Sequence, residues 1–168
     1  MRNIYKITLA LILMMAMFQA QAQKSNKGLM KKVYASKTKW EKLKKESKNS
    51  YTYVIARTST LGAFTVRTYV TVKRGRVTKA YRTTQNFKKK NSSEGKRKKL
   101  SRKERKKLKT LDEIYAFAAE KLAKKSAKKN YISFKTFDNG LIKQAGFTPM
   151  NCADDCFEGY TIDKIDLK

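Results

Sequence analysis

The chain has 168 residues, 40% of them hydrophobic, with 41 Lys or Arg against 13 Asp or Glu, two cysteines and no histidine. The absence of histidine excludes Ser-His and Cys-His nucleophilic pairs, histidine acid–base catalysis and the commonest zinc ligand. A formal net charge of +28 makes a surface that attracts polyanions and repels a second copy of itself.

The N-terminus has the pattern of a secretory signal peptide. Arg2 and Lys6 form a positive region, Ile7 to Phe18 is an apolar run, and Ala20-Gln21-Ala22 offers small residues around a cleavage point. The 12-residue run is short for a bilayer, which needs about 20 residues. No cysteine follows it to take a lipid. The expectation is cleavage near Ala22, leaving a secreted or periplasmic protein that does not span a membrane. Residues 23–168 then form a single domain of net charge +26, long enough to bury a core of its own.

Residues 23–28 read as a polar leader, and Leu29 to Lys48 as a helix. Met30, Val33, Trp40 and Leu43 make its apolar stripe, with Trp40 expected to seal the helix onto a sheet. Asn49-Ser50 ends it. Tyr51 to Thr84 is the longest stretch of period-two patterning. Tyr51, Tyr53 and Ile55 share one face of a first strand. Phe64, Val66, Thr68, Val70 and Val72 share one face of a second. The opposite face of that second strand is polar apart from Tyr69, which suits a sheet solvated on one side. The turn Lys73-Arg74-Gly75-Arg76 places glycine where a positive φ is needed, and Val77 to Thr84 follows. The expectation is a three-stranded antiparallel meander.

Residues 88–109 form a basic insertion with 13 Lys or Arg and two acids, Glu94 and Glu104. With only Leu100 and Leu108 as large apolar residues, it is expected to stay unordered at least as far as Gly95. Ser101-Arg102-Lys103-Glu104 and Thr110-Leu111-Asp112-Glu113 both match capping boxes. The second should open a helix running to about Lys128, with Leu111, Ile114, Tyr115, Ala118, Leu122 and Ala123 facing the sheet. Whether 102–128 is one helix or two stays open. Tyr131 to Phe137, the turn Asp138-Asn139-Gly140, Leu141 to Thr148 and Tyr160 to Leu167 supply three more strands. The order points to α+β: an antiparallel sheet of about six strands in two groups, with two helices packed on one face.

The pieces N49-S-Y-T-Y53, V72-K-R-G-R-V77, T110-L-D-E-I-Y115, F137-D-N-G140 and D154-D155 with G159-Y-T-I162 carry a resemblance. Over about 49–165 the chain resembles a family of bacterial secreted proteins and lipoproteins classed as a domain of unknown function. The resemblance implies this fold and secretion, and implies no activity. The chain departs from it at Arg57-Thr58-Ser59, where members often carry a cysteine pair, and at Gly140-Leu141-Ile142, where proline is frequent.

Few residues offer chemistry. S-x-x-K occurs at Ser36/Lys39, Ser93/Lys96 and Ser126/Lys129, but a lysine that activates a serine needs burial, and these segments have few apolar neighbours. Cys152 and Cys156 are expected to pair as a disulfide in an exported chain; their spacing is not C-x-x-C, and two cysteines without histidine cannot complete a four-ligand site. Residues 138–168 carry six acids and three lysines but no D-x-D-x-D-G loop for calcium. No catalytic, cofactor or metal residue is assigned.

The candidate site is the basic insertion: Lys88, Lys89, Lys90, Lys96, Arg97, Lys98, Lys99, Arg102, Lys103, Arg105, Lys106 and Lys107. Lysine acts as a hydrated point charge, so such contacts position a polyanion without specifying it. Lipopolysaccharide, anionic lipid, acidic polysaccharide and nucleic acid all fit; a solvated loop is the bland alternative. The expected function is a non-enzymatic secreted binding protein. The alternative is a protein-interaction or inhibitor-like module using the sheet face or the Cys152–Cys156 hairpin, which an exposed aromatic patch at Tyr51, Tyr53 and Tyr69 would favour.

Overall fold

A computed structural model describes residues 27–88, 94–153 and 155–167. The expected signal peptide, Lys89, Lys90 and Asp154 lie outside these residues. The first helix, α1, covers 27–46 and buries Val33, Ser36 and Trp40, three positions on one face at helical spacing. It ends abruptly because Lys48 and Asn49 both take positive φ, 48° and 52°. Asn49 N–H closes back on the Lys44 carbonyl at 2.8 Å, while its own carbonyl accepts Gly75 N–H at 2.9 Å. The helix end is thereby docked on the turn between the second and third strands.

The strands are β1 (Tyr51–Ser59), β2 (Phe64–Lys73), β3 (Arg76–Asn86), β4 (Lys98–Lys99), β5 (Asn130–Thr136), β6 (Ile142–Pro149) and β7 (Glu158–Leu167). They form one antiparallel sheet in the order β4-β3-β2-β1-β7-β6-β5. The expected meander β1-β2-β3 is present, and the C-terminal strand β7 inserts beside β1 to join the two groups. The β2–β3 turn has φ of 48° at Arg74 and 75° at Gly75. Two left-handed residues are what a two-residue hairpin turn of the I′ kind requires, so arginine shares the strain that the sequence pattern assigned to glycine alone.

Six strands were expected, and the described residues form seven. The additional one, β4, lies inside the basic insertion, pairing Lys98 and Lys99 with Arg82 and Tyr81. The insertion is also ordered earlier than expected: Gly95 N–H donates to the Thr84 carbonyl at 2.9 Å, and Leu100 N–H to that of Ala80 at 3.0 Å. Leu100 is buried beside Ala80. One leucine and a row of backbone hydrogen bonds to an existing edge suffice where autonomous folding would not.

Two short helical segments follow, so 102–128 is not one helix. α2 (Arg102–Arg105) and α3 (Leu111–Phe117) each begin with a complete capping box, on Ser101/Glu104 and Thr110/Glu113. α3 stops well short of Lys128. It widens into a π turn at Ala118–Leu122, which keeps Ala118 and Leu122 buried, and then gives way to turns. The following A-K-K-S-A-K-K has no apolar face to bury, and packing rather than propensity sustains a helix of this length.

α1 and α3 cover the sheet face that carries Tyr51, Tyr53, Val70 and Val72, and with Trp40, Leu111, Ile114 and Ile142 these make the core. Trp40 packs edge-on against Tyr51 with centroids 4.9 Å apart. Its indole N–H and the Lys44 ammonium both donate to Asp112 Oδ1, at 2.9 and 3.0 Å, tying α1 to the start of α3. The Asp112 hydrogen bond raises the Lys44 pKa above its usual value.

The opposite face is polar but not fully solvated. Tyr69 and Tyr81 stack across β2 and β3 with centroids 4.5 Å apart. Arg67 donates to Gln85 at 2.9 Å. Register puts Thr65 opposite Gln85 and Thr83 opposite Arg67, so the Arg67–Gln85 bond runs diagonally over the two threonines and buries both.

Candidate polyanion interface

The described part of the basic insertion is fixed to the sheet edge at successive points. Glu94 accepts from the Tyr69 hydroxyl at 2.8 and 2.9 Å and from Arg67 at 3.4 Å. Arg97 lies over the Tyr81 ring, 4.9 Å from its centroid, extending the tyrosine stack. β4 and the buried Leu100 follow, and Ser101 then caps α2. Arg105 is half-buried and donates to the Leu100 carbonyl at 2.8 Å, closing the segment on itself.

Both acids of the segment are consumed by these contacts. Glu94 belongs to the clasp with Tyr69 and Arg67. Glu104 accepts from Ser101 N–H at 2.8 Å, and that backbone hydrogen bond leads the causes that hold its pKa below the usual carboxylate value. Lys88, Lys96, Arg97, Lys98, Lys99, Arg102, Lys103, Lys106 and Lys107 are all exposed. None of these forms an ion pair among the described residues; the bridges in this region join Arg67 to Glu94 at 3.4 Å and Lys109 to Glu113 at 2.9 Å. Of the sequence-predicted cations among the described residues, Arg105 alone is diverted to a structural hydrogen bond. The strand register places Arg97 and Lys99 on the open face and Lys98 on the helix face.

An edge strand rich in lysine also discourages pairing with another chain. That explains Lys98 and Lys99. It leaves Arg102, Lys103, Lys106 and Lys107 without a role, since they lie beyond the strand.

The other candidates resolve as follows. Ser36 is buried, contrary to the expectation from its lysine-rich neighbourhood, because it shares the helix face of Val33 and Trp40. Its hydroxyl donates to the Gly140 carbonyl at 2.7 Å and lies 2.8 Å from the Tyr115 hydroxyl. Tyr115 in turn accepts Ile142 N–H at 2.9 Å. With the Ser36 proton on Gly140, the Tyr115 proton points to Ser36, and the relay is complete. Lys39 stands exposed beside it, so this serine has no buried lysine to activate it. Ser93 lies outside the described residues, and Ser126 and Lys129 are both exposed.

Cys152 and Cys156 form a disulfide. The loop it closes seats Phe157 on Gly146, where a Cβ would come within 2.3 Å of the ring. Tyr51 and Tyr53 are buried rather than displayed; their hydroxyls hold Leu111 N–H and the Lys109 carbonyl at the entry of α3. Burial pushes both phenols far above their usual pKa. Among the described residues no three His, Cys, Asp or Glu gather as a metal site, and no helix is long and apolar enough to cross a membrane.

Sequence reasoning missed β4, the Glu94 clasp and the Tyr69–Tyr81 stack. Leu100, isolated in a lysine run, was the one available signal for the first. No family model, curated protein or solved structure matches the chain.

Proposed function

We propose that the protein is a non-enzymatic, secreted or periplasmic binding protein that associates with envelope or extracellular polyanions through residues 88–107. The observation that carries this reading is the presentation of eight cations, from Lys96 to Lys107, on and just beyond an ordered edge strand, with both local acids already engaged. A cation on a pinned backbone loses less conformational freedom on binding than one on a free tail. It also binds without first breaking an ion pair. Lysine-rich contacts of this kind follow the charge of phosphate or carboxylate groups and carry little sequence or shape selectivity.

Secretion is supported by the signal-peptide pattern at residues 1–22 and by the disulfide, which persists in oxidising compartments. A non-enzymatic role is supported by the lack of histidine and by the closed Ser36 relay. The protein-interaction alternative has less to stand on, because Tyr51 and Tyr53 are in the core and Tyr69 is held between Tyr81 and Glu94. The test is a salt titration of binding to duplex DNA, lipopolysaccharide and anionic vesicles, comparing the parent with a variant lacking 88–107. A steep salt dependence that the deletion flattens supports the reading. An unchanged slope rejects it.

A further inference from the structure

The sheet is not continuous along its full length. β1 pairs with β7 from Tyr51 opposite Leu167 to Ala56 opposite Thr161. Beyond that point β7 follows β6 back to Glu158, while β1 stays with β2 as far as Ser59. The two halves of the sheet therefore part past Ala56, and a cleft of about 970 Å³ opens there. This explains why its walls come from both sheet faces. The size suits a small molecule, since ligand pockets run from about 300 to 1,000 Å³.

Arginine is the minor cation of this chain, nine residues against 32 lysines, yet Arg57, Arg67 and Arg82 all line the cleft. Arg67 is occupied by Asp163 at 2.9 Å as well as by Gln85 and Glu94. Arg82 is different. It is half-buried, and its Nε is sealed from solvent with no hydrogen-bond partner. Glu104, whose lowered pKa owes most to the Ser101 backbone hydrogen bond and a little to Arg82, has its carboxylate committed to the Ser101 cap. Arg57 is exposed and forms no ion pair among the described residues. The other acid in the wall, Asp155, accepts from Thr60 N–H at 3.5 Å.

Register puts Arg57 and Arg82 on the same face, two strands apart with Val66 and Thr68 between them. Their Cα atoms are thus about 12 Å apart from the usual strand spacing and rise, a span that two arginine side chains can close on one anion. Ile55, Leu108 and Tyr160 supply apolar wall on that face. A guanidinium N–H taken out of water without an acceptor is costly, and the planar fork that carries it matches carboxylate and phosphate oxygens.

We infer that the cleft between β1 and β7 binds a single-chain anionic amphiphile. Its oxyanion head, carboxylate or phosphate, sits on Arg82 and Arg57, and its chain lies against Ile55, Leu108 and Tyr160. The site is separate from the lysines of the basic edge, so either proposal can fail alone.

The test is isothermal titration of the purified protein, below micelle-forming concentrations, with laurate, a lysophosphatidic acid and dodecylammonium. Acetate and inorganic phosphate serve as head-only controls. Saturable one-to-one binding of laurate or the lysophosphatidic acid is expected, and the tighter of the two names the head group. Dodecylammonium should not bind. Arg82→Gln and Arg57→Gln should each weaken binding at least about tenfold, the scale of a lost charge-assisted hydrogen bond. Lys106→Gln with Lys107→Gln should leave it unchanged. Arg57 is exposed, so its variant stays informative if Arg82→Gln misfolds. The inference is overturned if neither anion binds, if Arg57→Gln binds like the parent, or if the lysine variant loses as much as the arginine ones.

Discussion

Replacing Tyr115 by phenylalanine removes one oxygen atom and breaks the relay that joins α1, α3 and the β5–β6 turn. In the intact protein, Ile142 N–H donates to Tyr115, Tyr115 to Ser36, and Ser36 to the Gly140 carbonyl. Ile142 is fully buried, so no water replaces the lost acceptor. An orphaned buried donor costs about 1–3 kcal/mol, and the lost Tyr–Ser bond adds about 0.5–1.5 kcal/mol. The expected destabilisation is about 2–3 kcal/mol. Ser36→Ala should cost about 1–2 kcal/mol, because Gly140 and the Tyr115 proton each lose a partner. The double variant should be less destabilised than the sum by about 1 kcal/mol, since the Tyr–Ser bond is counted in both single changes. Urea denaturation of the four proteins, with unchanged m-values, measures this cycle. Burial holds the Tyr115 phenol above its usual pKa, so the coupling should persist across neutral pH. Strict additivity, or a Tyr115→Phe protein within about 0.5 kcal/mol of the parent, would refute the relay as a structural unit.

Reducing the disulfide, or Cys152→Ser with Cys156→Ser, should cost about 2 kcal/mol, the chain-entropy value for so small a loop; circular dichroism should still show a folded sheet with a lower melting temperature. Gly159→Ala should be far more damaging, because a Cβ there would stand 2.2 Å from the Ala145 carbonyl oxygen and 2.5 Å from the Gly146 Cα. A loss above about 2 kcal/mol is expected, and a variant of parental stability would show that β6 and β7 do not approach so closely. Glu113 has a lowered pKa: burial opposes the shift, but Lys109 and the Thr110 donors outweigh it. Its contribution is therefore full above its unfolded value of 4.5 and is lost as pH falls through the folded value. Glu113→Gln keeps the capping geometry without the charge, so the acid side of the stability profile should flatten while neutral-pH stability changes by less than about 1 kcal/mol. An acid limb identical to the parent's would contradict this.

Where one physical signal dominated, the fold was legible in the residues. Alternation in Tyr51 to Thr84 showed the meander, Thr110 with Glu113 showed the start of α3, and Trp40 on an apolar stripe showed which side of α1 is buried. The misreadings arose where tertiary contacts decide. No local rule says that Leu100 will find Ala80, so β4 was invisible. The helix after Leu122 fails for want of an apolar face, although its residues have good helical propensity. Ser36 looked solvated among lysines because only the folded protein supplies Tyr115 and Gly140 as partners. The basic edge was legible as charge, but its order was not. The Arg57–Arg82 cleft left no trace in the sequence, because it arises from two strands that diverge and are distant in the chain.

The most direct test of the central claim replaces Lys96, Arg97, Lys98 and Lys99 together by glutamine and measures binding to duplex DNA between 50 and 300 mM salt. Each cation in contact with phosphate contributes about 0.9 to the slope of log affinity against log salt. The expected slope is less steep than the parent's by up to about 3.6, with β4 and the buried Leu100 still in place. Weak binding by the parent at low salt, or a slope that the four replacements leave unchanged, would contradict a polyanion-binding role for this edge.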